Sequence, residues 1–230
     1  MKTNKILATT LIAGLAVAPF VSTSAFAADS TAKVTFTAPT DTVTPKLPTA
    51  PGTNNPDAPT QGTVNTVGGP LTLDFVSNIE FGTHAINPAT TVYQSTTLQP
   101  YIQVSDRRGT GEGWNVTAQA SAFTDGSAST LPGSTITLNN GAEASTSSTP
   151  APLPNASIVL PTAGAAAPVV NAAAKTADLK TAQGLGTWLT SWISSNATNE
   201  KVTLTVPEAA ATPGTHTSTI TWTLSASPAQ

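Results

Sequence analysis

The four tryptophans are the residues best suited to ligand chemistry, because an indole face stacks on the C–H face of a sugar ring. Trp114 and Trp222 each alternate with polar residues among Val, Ile and Leu, so a core role is the first expectation and ligand contact the second. Trp188 and Trp192 lie four apart in a less regular stretch. One of them is therefore expected to be partly exposed, and on sequence they are the better ligand candidates. Asp106 and Arg108 form a short polar pair. A turn-forming Asp and a paired Arg holding two loops together is favoured over contact with a polar ligand.

These residues do not assemble an enzyme. There is no Gly-x-Ser-x-Gly setting for a nucleophile and no His-Glu-x-x-His helix. Asp74, Glu80 and Asp106 sit where a strand pattern accounts for them, not as a facing pair of carboxylates. No catalytic residue is expected. His84 and His216 have no second histidine or carboxylate at ligand spacing, so neither a metal nor a cofactor is expected. The absence of cysteine removes disulfides, thiol catalysis and thiolate metal sites.

Composition narrows the partners. Charged residues make up 9% of the chain and the formal net charge is −3, so there is no basic patch for nucleic acid. Lys2 and Lys5, the apolar run Ile6–Val21 and Ala25-Phe26-Ala27 form a cleaved secretion signal over residues 1–27. No other stretch is long and apolar enough to span a bilayer, so no membrane insertion is expected. The run Leu160-Pro161-Thr162-Ala163-Gly164 superficially resembles a sortase signal, but its order is wrong and no apolar segment with a basic tail follows. Retention at a surface is therefore expected to be non-covalent.

The elements that would position these residues are short strands. Ile220, Trp222 and Leu224 alternate with Thr221, Thr223 and Ser225, the period of a strand with one buried face, and Pro228 ends it. Trp114, Val116 and Ala118 repeat the pattern. Further alternating runs occur at Val34–Phe36, Leu71–Phe75, Ile79–Gly82, Tyr101–Val104, Ser134–Leu138, Ser157–Leu160 and Val202–Val206, with Asn139-Asn140-Gly141 as a turn. Residues 38–68 are Pro-rich and are expected to be a loop or linker, and 142–154 a loop. Ala163–Thr181 is expected to be a short helix or an irregular excursion. The pattern predicts an all-β, sandwich-like fold of about eight to ten short strands with long Pro-, Ala- and Thr-rich loops. Residues 28–230 form its single domain.

Several blocks resemble one family. Trp114-Asn115-Val116 and Trp222-Thr223-Leu224 are similar to the two motifs of the WxL domain, found on surface proteins of low-GC Gram-positive bacteria. Ile220-Thr221-Trp222-Thr223-Leu224 with Pro228 follows the second motif, although His216 stands where the family usually has Tyr. Val116 replaces the Leu of the first motif. Gly69-Pro70-Leu71, Phe81-Gly82, Asp106 with Arg108-Gly109, and Gly186-Thr187-Trp188 resemble other family blocks in the same order. The resemblance implies a secreted surface protein attached non-covalently to the cell wall through peptidoglycan. It also implies a membrane-anchored companion protein as a partner. A structural subunit of a surface complex, or a host-facing adhesin, is the alternative.

Overall fold

The structure is a computed structural model that describes residues 28–229, so the expected signal at 1–27 lies outside the described residues. It divides into a unit ending at Phe36 and one beginning at Thr37. In the first, residues 28–36 form no strand, and Val34 and Phe36 are 71% and 87% exposed. The expected strand at Val34–Phe36 is thus corrected: an alternating run without a ladder partner has nowhere to place its backbone hydrogen bonds.

The second unit is an all-β, sandwich-like body whose strands are antiparallel and number seventeen among the described residues. One four-stranded sheet runs Leu153–Pro154, Ala167–Ala172, Trp114–Ala120, Ile220–Ser225. A second runs Ser157–Pro161, Thr135–Asn139, Asn199–Val206, Thr91–Ser95. A five-stranded sheet runs Ala142–Ser145, Gly186–Ser191, Tyr101–Asp106, Leu71–Ser77, Gly62–Val64. Two short hairpins complete the set, Lys46–Leu47 with Ala50–Asn54 and Phe123–Thr124 with Ser129–Thr130.

The three larger sheets share one core. Val104 of the five-stranded sheet, Leu138 and Leu160 of one four-stranded sheet, and Trp114 and Val116 of the other all lie in it. The five-stranded sheet is covered on its other face too: Tyr101, Phe75 and Leu189 join Ala58 in a smaller cluster. All six residues of Tyr101–Asp106 are buried for that reason.

The cover comes from the Pro-rich stretch. Residues 46–64, expected within a loop or linker, hold three short strands and the helix Ala58–Gln61. Polar contacts replace the apolar groups it lacks. The Lys46 amide donates to Gln103 Oε1 at 2.7 Å, and Asn55 Nδ2 donates to the Tyr101 hydroxyl at 3.0 Å. Ala163–Thr181 is a second correction. It contains the strand Ala167–Ala172, which buries Val169, Val170 and Ala172, and only a 3₁₀ turn at Leu179–Thr181. The β-branched Val pair decides against a helix. Two further runs differ. Ile79–Gly82 is irregular, and 142–154 supplies the strands Ala142–Ser145 and Leu153–Pro154. The Asn140-Gly141 turn makes no hairpin but passes the chain from one sheet to another, with Asn140 at φ 53°.

Candidate functional site

The two tryptophan motifs are neighbours. Ile220–Ser225 pairs with Trp114–Ala120 in unbroken antiparallel register, placing Leu224 opposite Val116, Thr223 opposite Thr117 and Trp222 opposite Ala118. Directly opposed residues share a face. Ile220, Trp222 and Leu224 therefore lie with Val116, Ala118 and Ala120 on the core side, and Thr221 and Thr223 lie with Thr117 and Gln119 on the solvent side.

The two motif tryptophans differ in exposure. Trp114 is 1% exposed and its Nε1–H donates to the Gly184 carbonyl at 3.1 Å. Trp222 is half-buried, because Ile220–Ser225 is the last strand of its sheet. Trp188 and Trp192 are 7% and 1% exposed, so the expectation that one of them is partly exposed is corrected. Trp188 stands on Gly186–Ser191, which has strands on both sides and layers over both faces. Trp192 Nε1 is buried without a partner, whereas its carbonyl accepts from Asn199 Nδ2 at 2.7 Å.

Asp106 and Arg108 close one end of this sheet. Arg108 Nε and Nη2 reach the two carboxylate oxygens of Asp106 at 3.0 and 2.8 Å. The same guanidinium donates to the carbonyls of Gly113 and Ala226 at 2.6 and 2.9 Å. Asn115 of the first motif donates from Nδ2 to the Ser227 carbonyl at 2.6 Å, and the Ala229 amide donates to Asn171 Oδ1 at 2.6 Å. These side chains thus fasten the backbone that follows the second motif.

The solvent face of the two motif strands is polar and uncharged, and the exposed Leu153 and Pro168 of the neighbouring strands flank it. Asn115 stands opposite Ser225, Thr117 opposite Thr223, and Gln119 opposite Thr221. Thr221 and Thr223 are exposed, while the Gln119 amide is engaged with the Gly164 carbonyl at 2.7 Å.

The core side of Trp222 opens into a cleft of about 920 Å³. Ile136, Leu204 and Val206 of the shared core form its floor. Ile79, Phe81 and Tyr93 form one wall, and Ile220 and Trp222 the other. Thr83, Thr212, Thr215 and Thr217 rim it. The His84 ring stacks on Tyr93 with centroids 4.4 Å apart, and His216 engages Thr130 and the Thr212 carbonyl. Sequence reasoning missed this cleft. Its one local signal was Phe81-Gly82, where Gly82 takes φ 78°.

Two buried acids lie elsewhere. Burial raises Asp74 from its ordinary value, against opposing hydrogen bonds from Ser105, Thr72 and Gln103. Burial pushes Glu143 up to about 8, because only Thr190 donates to it, at 2.7 Å, and its Oε2 is unpartnered. Glu143 was missed because it stands alone in a low-complexity Ala/Ser run. Neither acid faces a second carboxylate across a cleft in the manner of a hydrolase. Among the described residues there is no cluster of three or more His, Asp or Glu able to hold a metal.

The paired motifs, the Asp-x-Arg clamp and the all-β frame agree with the comparison to known families. Residues 23–228 match the family model described as WxL domain surface cell wall-binding. The chain belongs to the WxL family. Its place is accordingly at the cell surface in association with the wall, and the role that goes with the family is wall binding. No helix among the described residues is long and apolar enough to cross a membrane. No curated protein and no solved structure matches the chain.

Proposed function

We propose that this WxL protein is held on the wall non-covalently by peptidoglycan, through the polar face of the two paired motif strands. The observation behind this reading is the family match over residues 23–228. The choice of face rests on chemistry. Thr117, Thr221, Thr223 and Ser225 offer hydroxyls on a pleated, uncharged surface, suited to the hydroxyl and N-acetyl groups of a glycan strand and the amides of its peptide stems. The tryptophans are not the contact in this reading. Trp114, Trp188 and Trp192 are closed off, and Trp222 faces the cleft.

Sedimentation with purified peptidoglycan, with and without teichoic acid, tests the proposal. Enrichment over an unrelated β-protein is expected in both preparations. Thr221→Glu with Thr223→Glu puts two negative charges on the face and should cut retention at least tenfold at an unchanged thermal midpoint. Equal retention by that variant would rule out the face. No enrichment of the unaltered protein would rule out direct binding to peptidoglycan.

A further inference from the structure

Two irregular segments stand beside the core without covering it. Residues 78–90 join Leu71–Ser77 to Thr91–Ser95, and residues 207–219 join Asn199–Val206 to Ile220–Ser225. Both contribute to the cleft of about 920 Å³, which lies on the core side of Trp222. Thr221 and Thr223, on the face assigned above to peptidoglycan, point the other way from the same strand. The volume falls toward the upper end of the roughly 300–1,000 Å³ of small-ligand sites, so a short oligomer has room there.

The lining limits what that ligand can be. Neither Lys nor Arg lines the cleft, and Glu80 is its one carboxylate. The histidines are turned to the chain itself. His216 uses both nitrogens on Thr130 and the Thr212 carbonyl, and His84 uses Nε2 on the Phe81 carbonyl. A phosphate or carboxylate ligand would therefore lose water without gaining a cation. What remains is neutral and of two kinds. Phe81, Tyr93 and Trp222 present aromatic rings that the core covers only in part. Thr83, Thr215 and Thr217 add hydroxyls that bond to no other group among the described residues. An apolar peptide or a lipid tail would bury those hydroxyls without partners. A pyranose ring suits both kinds, being apolar on its C–H face and hydroxylated at its edge. Two of the rings are already held by neighbours, Trp222 by Trp192 and Tyr93 by His84, so little ordering is needed on binding.

We propose that this cleft is a binding site for a short neutral oligosaccharide of a few pyranose rings, separate from the polar face of the motif strands. The aromatic rings stack on the sugar and the threonines bond its hydroxyls. The site stands or falls independently of peptidoglycan on the other face.

Calorimetric titration of the protein with chitotriose, cellotriose and trigalacturonate, with tryptophan fluorescence recorded alongside, tests it. The first two are neutral and the third is an anion of the same length. Saturable binding of at least one neutral trisaccharide is expected, with a change in emission from Trp222, the indole that the core leaves partly open. Trigalacturonate should bind roughly tenfold more weakly or not at all. Tyr93→Ala removes one stacking ring and should weaken neutral binding roughly tenfold. Thr215→Trp fills the cleft from an exposed position and should do the same at an unchanged thermal midpoint, which separates lost binding from lost folding. Thr221→Glu with Thr223→Glu should leave the binding as it is. No saturable binding of either neutral sugar would overturn the proposal, whatever sedimentation with peptidoglycan shows. Trigalacturonate binding as tightly as the neutral sugars would overturn it too. So would binding that survives Thr215→Trp but is lost in the Thr221 and Thr223 variant, because the sugar would then lie on the polar face.

Discussion

The indole of Trp222 leans on that of Trp192, with ring centroids 6.3 Å apart and planes inclined at 39°. The first is half-open to the cleft and the second is sealed, so the pair marks where the shared core ends. An expectation that loss of Trp222 costs as much as loss of any buried aromatic is therefore too strong. Trp114→Ala empties a closed site and strands the Gly184 carbonyl, and should cost roughly 3–5 kcal/mol. Trp222→Ala removes a half-buried ring and should cost about 2 kcal/mol. Urea unfolding of the two variants checks the order. If Trp222→Ala were the more damaging, the cleft would be closed in solution.

Arg108 concerns the fastening of the chain after the second motif. Asp106 is 2% exposed and Arg108 is its bidentate partner, so Arg108→Ala leaves a buried carboxylate with only the amide of residue 108 as donor and loses the bond to Ala226. Breaking such a pair costs roughly 3–5 kcal/mol. Arg108→Lys keeps the charge but not the fork and should recover only part of that loss. Pairing Arg108→Ala with Asp106→Asn should recover more than Lys does, as the orphaned charge is gone. Chemical denaturation of the three variants decides this.

Gly184 tests the seating of Trp114. Its φ is 69°, and a Cβ there would stand 2.7 Å from Trp114 Nε1. The backbone conformation alone costs a β-carbon residue about 1–2 kcal/mol. The collision with a buried indole adds to it. Gly184→Ala should thus be more destabilising than Gly109→Ala, where φ is 71° but nothing stands within 4 Å of the added carbon. A thermal melt of both compares strain with and without the clash.

Much of the frame was legible from alternation. Trp114–Ala120, Asn199–Val206 and Ile220–Ser225 place apolar and polar residues on opposite faces, and the sequence pattern carries that directly, whereas in Leu71–Ser77 a bulge between Leu73 and Phe75 turns Phe75 to the face of Asp74. Ala167–Ala172 was not legible, because small residues pack against a sheet without the contrast that reveals a period. The hairpin at Lys46–Asn54 was hidden for a different reason. It is held by polar bonds to Gln103 and Asn55, and composition shows only that apolar groups are missing. The site divides the same way. The pairing of the two motifs follows from their matched patterns, but which tryptophan meets solvent depends on strand order. Trp222 is open because its strand is last and Trp188 closed because its strand is flanked, which no local window contains.

Glu143 should give the protein an unusual dependence on pH. It stands opposite Thr190 in the register of Ala142–Ser145 with Gly186–Ser191, with one oxygen bonded and the other buried without a partner. Burial pushes it from an ordinary value of 4.5 up to about 8. Between those values the folded protein holds a proton that the unfolded chain has released. Stability from this group is therefore complete in acid and is lost as pH rises toward about 8, with a slope of at most about 1.4 kcal/mol per pH unit. Asp74, also raised by burial, works in the same direction. Glu143→Gln keeps the shape and the contact to Thr190 but cannot ionise, so its stability should fall less over that interval and exceed that of the unaltered protein at about pH 8. Urea midpoints measured for both across the interval provide the check. Parallel curves would mean that Glu143 is already ionised in the folded protein, with water or a moved side chain serving its second oxygen.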